Sequence, residues 1–193
     1  MVELLIGTKI QGDGYMKKVI FILAATLMTT LAFAADNATQ ASSNSNDLYL
    51  GVGTGLTLPS SNWDPSYTAG LASNVFVGQR VDKNWAGQVS MEEYIIPGSL
   101  TSNYNLRGLA EAKYTFDMAG WQPYALGGVG AVYQFLANTG DSTVNFDAVV
   151  GLGAQADLGR DIHLYVQAEY NFIFTSSLTL GDVPITAGVW LGL

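Results

Sequence analysis

The chain has no cysteine, a single histidine and only 8 lysines and arginines among 193 residues. Each scarcity excludes something. Without cysteine, a disulfide scaffold and a cysteine-ligated zinc site are impossible. Sixteen acidic residues give a formal charge of −8. No Lys/Arg patch is available to neutralise phosphates, so no nucleic-acid partner is expected. Charged residues make up 12% of the chain, about half of what a soluble domain carries. What is abundant is apolar and small: 49% hydrophobic residues, 22 glycines, 10 tyrosines, 8 phenylalanines and 4 tryptophans. That content excludes disorder. It leaves one domain with more hydrophobic surface than an ordinary soluble protein exposes.

The N-terminal region stands apart. Met16-Lys17-Lys18 is followed by the apolar run Val19–Met28 and by Ala32-Phe33-Ala34. A basic start, an apolar stretch and an Ala-x-Ala site are the three parts of a cleaved secretory signal. The apolar run is shorter than the roughly 20 residues of a membrane-spanning helix. Residues 1–15 read as an upstream extension from an over-long start, 16–34 as the signal and 35–46 as a flexible polar lead-in. The remaining domain is 47–193. Cleavage after Ala34 removes Lys9, Lys17, Lys18, Glu3 and Asp13 and takes the net charge to −9. Absence of cysteine fits an oxidising compartment in which no disulfide is needed.

Beyond Asn46 the hydrophobic period is two, the period of strands. Leu48, Leu50, Val52, Thr54, Leu56 and Leu58 share one face, opposed by Tyr49, Gly51, Gly53, Gly55 and Thr57. Seven further segments follow, near 69–81, 85–96, 104–117, 123–136, 144–158, 162–175 and 183–193. Each reaches the 9–11 residues of a tilted membrane-spanning strand. Connections alternate between tight turns (82–84, 118–122, 159–161) and longer loops (59–68, 97–103, 137–143, 176–182). This asymmetry predicts an all-β, eight-stranded, antiparallel up-and-down transmembrane barrel with both termini on the tight-turn side.

Alternation alone does not orient the faces; composition does. In the sixth segment Val144, Phe146, Ala148, Val150, Leu152, Ala154 and Ala156 oppose Asn145, Asp147, Val149, Gly151, Gly153, Gln155 and Asp157. A strand face in water is rich in Lys and Glu and poor in glycine. The mixed face therefore suits a narrow lumen, and the greasy face suits lipid. Phe76 falls on the polar parity of its segment, and the fifth segment leaves its facing open. Aromatics gather at segment ends, with Trp85, Phe116, Trp121 and Tyr124 toward the turns. Trp63, Tyr67, Tyr94, Tyr104, Phe135, Phe172 and Phe174 lie toward the loops, where two headgroup-level girdles are expected.

With these features, residues 47–193 resemble the small outer-membrane β-barrel family of OmpA-like and OmpX-like eight-stranded barrels. The C-terminus resembles the family's assembly signal: a polar Thr186, Gly188 two on, then Leu191 and Leu193 at the third-last and last positions. The family usually ends in an aromatic, so Leu193 is a departure. Pro123 to Gly130 also resembles the family's fifth strand. The resemblance implies the outer membrane of a Gram-negative bacterium, with lipid and lipopolysaccharide as surroundings. It further implies engagement of the barrel-assembly machinery through the last strand, and a monomer. No periplasmic peptidoglycan-binding domain is expected after the eighth strand, and no cofactor or metal.

Candidate chemistry is sparse. The barrel's lipid A deacylases use a histidine with a serine two residues on, whereas Tyr165 stands two after His163. Glu92-Glu93 are adjacent, so they face opposite ways and make a poor acidic pair. Gly51-x-Gly53-x-Gly55 is followed by Leu56 and no helix, unlike a dinucleotide fingerprint. Asp64, Asp141 and Asp182 read as solvated loop acids. What remains is a lumen cluster of Arg80, Glu92, Arg107, Glu111, Lys113, Asp147, Asp157 and Glu169. Enclosed charges must pair, because isolation is costly. Folding the third and fourth segments together sets Glu92 level with Arg107. The expected function is a non-enzymatic structural or surface-interaction barrel whose lumen these side chains plug. The alternative is a narrow porin-like channel for small or hydrophobic solutes.

Overall fold

Eight alternating segments each have one face to bury and one to expose, and they pair in chain order into a closed antiparallel barrel. The computed structural model describes residues 48–159 and 161–193. The expectations for 1–15, 16–34 and 35–46 lie outside the described residues. The strands are β1 (Leu48–Pro59), β2 (Gly70–Arg80), β3 (Trp85–Pro97) and β4 (Ser102–Thr115). They continue as β5 (Gln122–Leu136), β6 (Ser142–Gly159), β7 (Ile162–Phe174) and β8 (Thr179–Gly192). Closure runs through β1 and β8, from Tyr49 opposite Gly192 to Pro59 opposite Asp182. Among the described strands it leaves no edge unpaired, as a lipid environment requires.

β8 starts earlier than expected. The loop predicted over 176–182 shrinks to a turn in which Thr175 and Leu178 bond each other through backbone and hydroxyl. Residues 179–182 join the sheet, where Asp182 pairs with both Pro59 and Asn171. Asp182 is thus buried inside the barrel, which corrects its reading as a solvated loop acid. Its even number shares the inward parity of Thr186 and Trp190, so the ladder carries it indoors.

Close approach of backbone and ring fills the interior. Gly51 lies opposite Phe76 and Gly78 opposite Tyr49; Gly153 lies opposite Tyr124. A Cβ at any of the three would collide with the partner's ring. Glycine on the inner face thus makes room for an aromatic ring laid across from the next strand, and Phe76 points inward for this reason. The fifth strand turns Tyr124, Leu126, Val132 and Gln134 inward.

Three apolar layers result. Toward the tight turns sit Tyr49, Phe76, Ala86, Tyr165 and Trp190. A middle layer holds Leu109, Tyr124, Leu126 and Val149. Toward the loops Ala72, Tyr94 and Ile96 are covered by Trp63 and Tyr67 from the β1–β2 loop. Tyr94, Tyr124, Trp63 and Tyr67 therefore belong to the interior and its cap, not to the outer girdles as expected. The outward aromatics pair as Tyr104–Phe135, Phe146–Phe174 and Tyr170–Phe172 near the loops, and as Trp85–Tyr114–Phe116 near the turns.

Candidate functional site: the barrel interior

Between the apolar layers run the polar side chains. At the centre of the loop-ward half, Arg107 on β4 reaches Asp147 on β6 (Nε to Oδ2, 3.0 Å) and Asp182 on β8 (Nη2 to Oδ2, 2.8 Å). All three side chains are 0% exposed. The guanidinium lies 4.5 Å from the Tyr94 ring centre, and Asn171 Nδ2 donates to the other oxygen of Asp182 (2.7 Å). Arg107 therefore ties four strands across the lumen.

The register sets Glu92 directly opposite Arg107, the level expected from the sequence. The two are nevertheless not an ion pair; Asp147 and Asp182 occupy the guanidinium. Glu92 accepts from the Tyr94 hydroxyl and lies with Glu111 and Glu169, one carboxylate oxygen of each within 4.8 Å of the others. The reason is direction along the strand. Arg107 extends toward the loops, Glu92 toward the turns.

Glu111 and Glu169 are held in the same way as each other. Tyr49 donates to Gln88 Oε1 (3.0 Å), and Gln88 Nε2 donates to Glu111 Oε2 (3.0 Å). Tyr124 donates to Gln167 Oε1 (2.9 Å), and Gln167 Nε2 donates to Glu169 Oε1 (2.8 Å). Each relay fixes which way the glutamine amide points and so fixes the carboxylate.

Lys113 is enclosed differently. Its Nζ sits 5.0, 4.9 and 5.6 Å from the ring centres of Tyr49, Tyr124 and Trp190, and donates to Gln155 Oε1 (3.2 Å). Ring faces carry negative charge and stabilise a cation there.

The remaining two residues of the expected cluster, Arg80 and Asp157, lie at the turn-side mouth and not in the enclosed network. Arg80 is exposed, its guanidinium 5.4 Å from the Trp190 ring centre. Asp157 is 62% exposed and meets His163 Nδ1 at 2.5 Å, with that ring stacked on Trp190. Both stand at strand ends, where water reaches them. They line a polar cavity of about 250 Å³ that opens between the turns. Of the expected assembly residues, Thr186 is buried, Gly188 packs under the Tyr165 ring, and Leu191 and Leu193 face outward.

The chain's sequence matches the family described as the outer membrane protein beta-barrel domain over residues 21–189. The chain belongs to that family. Its place is accordingly the outer membrane, and the eight strands fit spanning strands. Solved barrels share the fold. Neisserial surface protein A aligns with a TM-score of 0.68 at 16% identity, covering 78% of this chain and 99% of that one. OprG of Pseudomonas aeruginosa gives 0.54 at 14% identity, covering 77% and 96%. The outer membrane enzyme PagL gives 0.50 at 14%, covering 75% and 99%. A comparison with curated proteins found no match. Because this barrel scaffold hosts an enzyme as well as surface proteins, fold by itself does not fix the activity.

Proposed function

We propose that this barrel is a non-enzymatic structural and surface-interaction protein of the outer membrane, with a lumen closed to solutes. The observation that supports it best is Arg107, fully enclosed and held between Asp147 and Asp182. A guanidinium so placed occupies the axis and cannot swing aside without stranding two carboxylates. The Trp63–Tyr67 cap over Tyr94 and Ile96 adds a second closure at the loop end. Tyr165 stands two residues after His163, where the barrel's lipid A deacylases carry a serine, and this supports a non-enzymatic reading. In the same reading, residues 16–34 are a cleaved signal and Thr186, Gly188, Leu191 and Leu193 present the last strand to the assembly machinery. The mature barrel is a monomer amid lipid and lipopolysaccharide.

Planar-bilayer recording tests the closure. The parent barrel is expected to pass almost no current, and the pair Arg107→Ala with Tyr94→Ala is expected to raise it. Substantial parental conductance would overturn the closed reading in favour of a narrow channel. The polar cup at the turn-side mouth would then be its inner vestibule.

A further inference from the structure

Among the described residues, five carboxylates are enclosed in the lumen, those of Glu92, Glu111, Asp147, Glu169 and Asp182, against two cations, Arg107 and Lys113. Arg107 is taken by Asp147 and Asp182, and Lys113 by three rings and an amide. Among the described residues, no positive side chain comes within ion-pair distance of Glu92, Glu111 or Glu169. Three converging buried carboxylates without a counter-charge are very costly. We propose that they hold a divalent cation of the calcium type.

The geometry suits such an ion. With their oxygens within 4.8 Å of one another, the three corners share a point at most about 2.8 Å from each, and calcium binds oxygen at 2.3–2.6 Å. Calcium tolerates irregular cages rich in carboxylate, whereas magnesium keeps several waters and demands a near-ideal octahedron. Two further atoms point to a missing partner. The Ser90 hydroxyl, on a side chain 3% exposed, has the Glu111 carboxyl as its neighbour and finds no well-aligned hydrogen bond. Glu111 Oε1 is likewise buried without a partner. Each carboxylate is also held at one oxygen: by Tyr94 on Glu92, by Gln88 on Glu111 and by Gln167 on Glu169. Outer groups that orient the ligands are how metal sites are usually supported. A divalent ion would also remove two of the three uncompensated negative charges.

This inference goes beyond the closed-lumen reading and stands apart from it. Bilayer current tests the closure, ion titration tests the site, and either can fail alone. The probe is terbium, a luminescent substitute for calcium, with the barrel refolded from chelator-treated protein in its presence. Excitation of tyrosine should sensitise terbium emission, because the Tyr94 hydroxyl bonds a ligand. Calcium should displace that emission at one ion per chain and raise the melting temperature. Glu111→Gln or Glu169→Gln should weaken calcium at least tenfold. Ser90→Ala, which leaves the charges in place, should weaken it severalfold and serves if the glutamine variants do not fold. Glu93→Gln, on the outward face of the same strand, should change nothing. Absence of sensitised emission, or emission untouched by these variants, would overturn the site. So would a melting temperature that rises on acidification and ignores calcium, because protons would then be the neutralising species.

Discussion

The two enclosed cations of this barrel are stabilised by different means. In the loop-ward half Arg107 meets two carboxylates, an aromatic face and, through Asp182, an asparagine. In the turn-ward half Lys113 meets three rings and one amide oxygen, with no carboxylate among the described residues at ion-pair distance. The ends differ accordingly. The loop end is capped by Trp63 and Tyr67, whereas the turn end opens into a polar cup lined by Arg80, Asp157 and His163. Arginine suits the first site because its planar fork can address two acids at once. Lysine suits the second because a compact ammonium at the end of a long stem fits between rings. Charge is thus locked by charge where the lumen is shut, and by ring faces where water is near.

Removing Arg107 tests the first arrangement most severely. Arg107→Met strands Asp147 and Asp182 in the interior and should cost about 3–5 kcal/mol, read as denaturant unfolding of the refolded barrel. Adding Asp182→Asn should cost less than the sum of the two single changes, since the residues touch. Additive costs would mean that the pair is solvated and that the loop-ward half is no tighter than the mouth.

The lipid face supplies a scale against which to set that loss. Val150 points outward at the middle of β6. Val150→Lys should cost about 2–4 kcal/mol if it meets the bilayer core, measured by the same unfolding assay in lipid. Tolerance of the lysine would place the greasy face elsewhere than in lipid.

Lys113→Met should be the mildest of the interior changes. It leaves no carboxylate at ion-pair distance unpaired and keeps the stem's packing. The loss is one amide contact and the ring attraction, about 0.5–2 kcal/mol for a largely desolvated cation over aromatics. A cost as large as that for Arg107 would show that Lys113 serves the nearby glutamates, and the contrast between the halves would collapse.

Much of this was legible in the sequence. The period of two gave the strands, and the glycine-rich parity marked the inner face. Folding β3 onto β4 set Glu92 level with Arg107, as the register has it. The partners were not legible. Parity says which face a side chain occupies but not whether it leans up or down its strand, and that lean sends Arg107 to Asp147 and Asp182. Asp182 was hidden by a strand boundary, since Thr179 to Asp182 looked like loop. Extending the inward parity of Thr186 back through Pro184 would have found it. Tyr94 and Tyr124 looked like girdle residues because they lie near strand ends; the glycine opposite Tyr124 was the available sign that its ring turns inward.

The smallest effect belongs to the open end, outside the membrane. In the β2–β3 turn Asp82 accepts from the backbone N–H groups of Trp85 and Asn84, both at 2.8 Å. These donors favour the ionised carboxylate and hold its pKa below the ordinary range. For a depressed carboxylate, the contribution to stability is complete above the unfolded pKa and fades as pH falls through the folded one. The turn should therefore keep its order at neutral pH and loosen only in acid, below the usual carboxylate range. Amide exchange protection at Asn84 and Trp85, taken relative to the intrinsic rate at each pH, reads this directly. Asp82→Ala should bring the acid-range loss of exchange protection to neutral pH and leave the melting temperature of the barrel nearly unchanged, because the turn is solvent-exposed and the closed ladder below it does not depend on this cap. A large drop in melting temperature would show that the turn-ward half is as tightly coupled as the Arg107 node, and the difference between the two ends would be one of hydration alone.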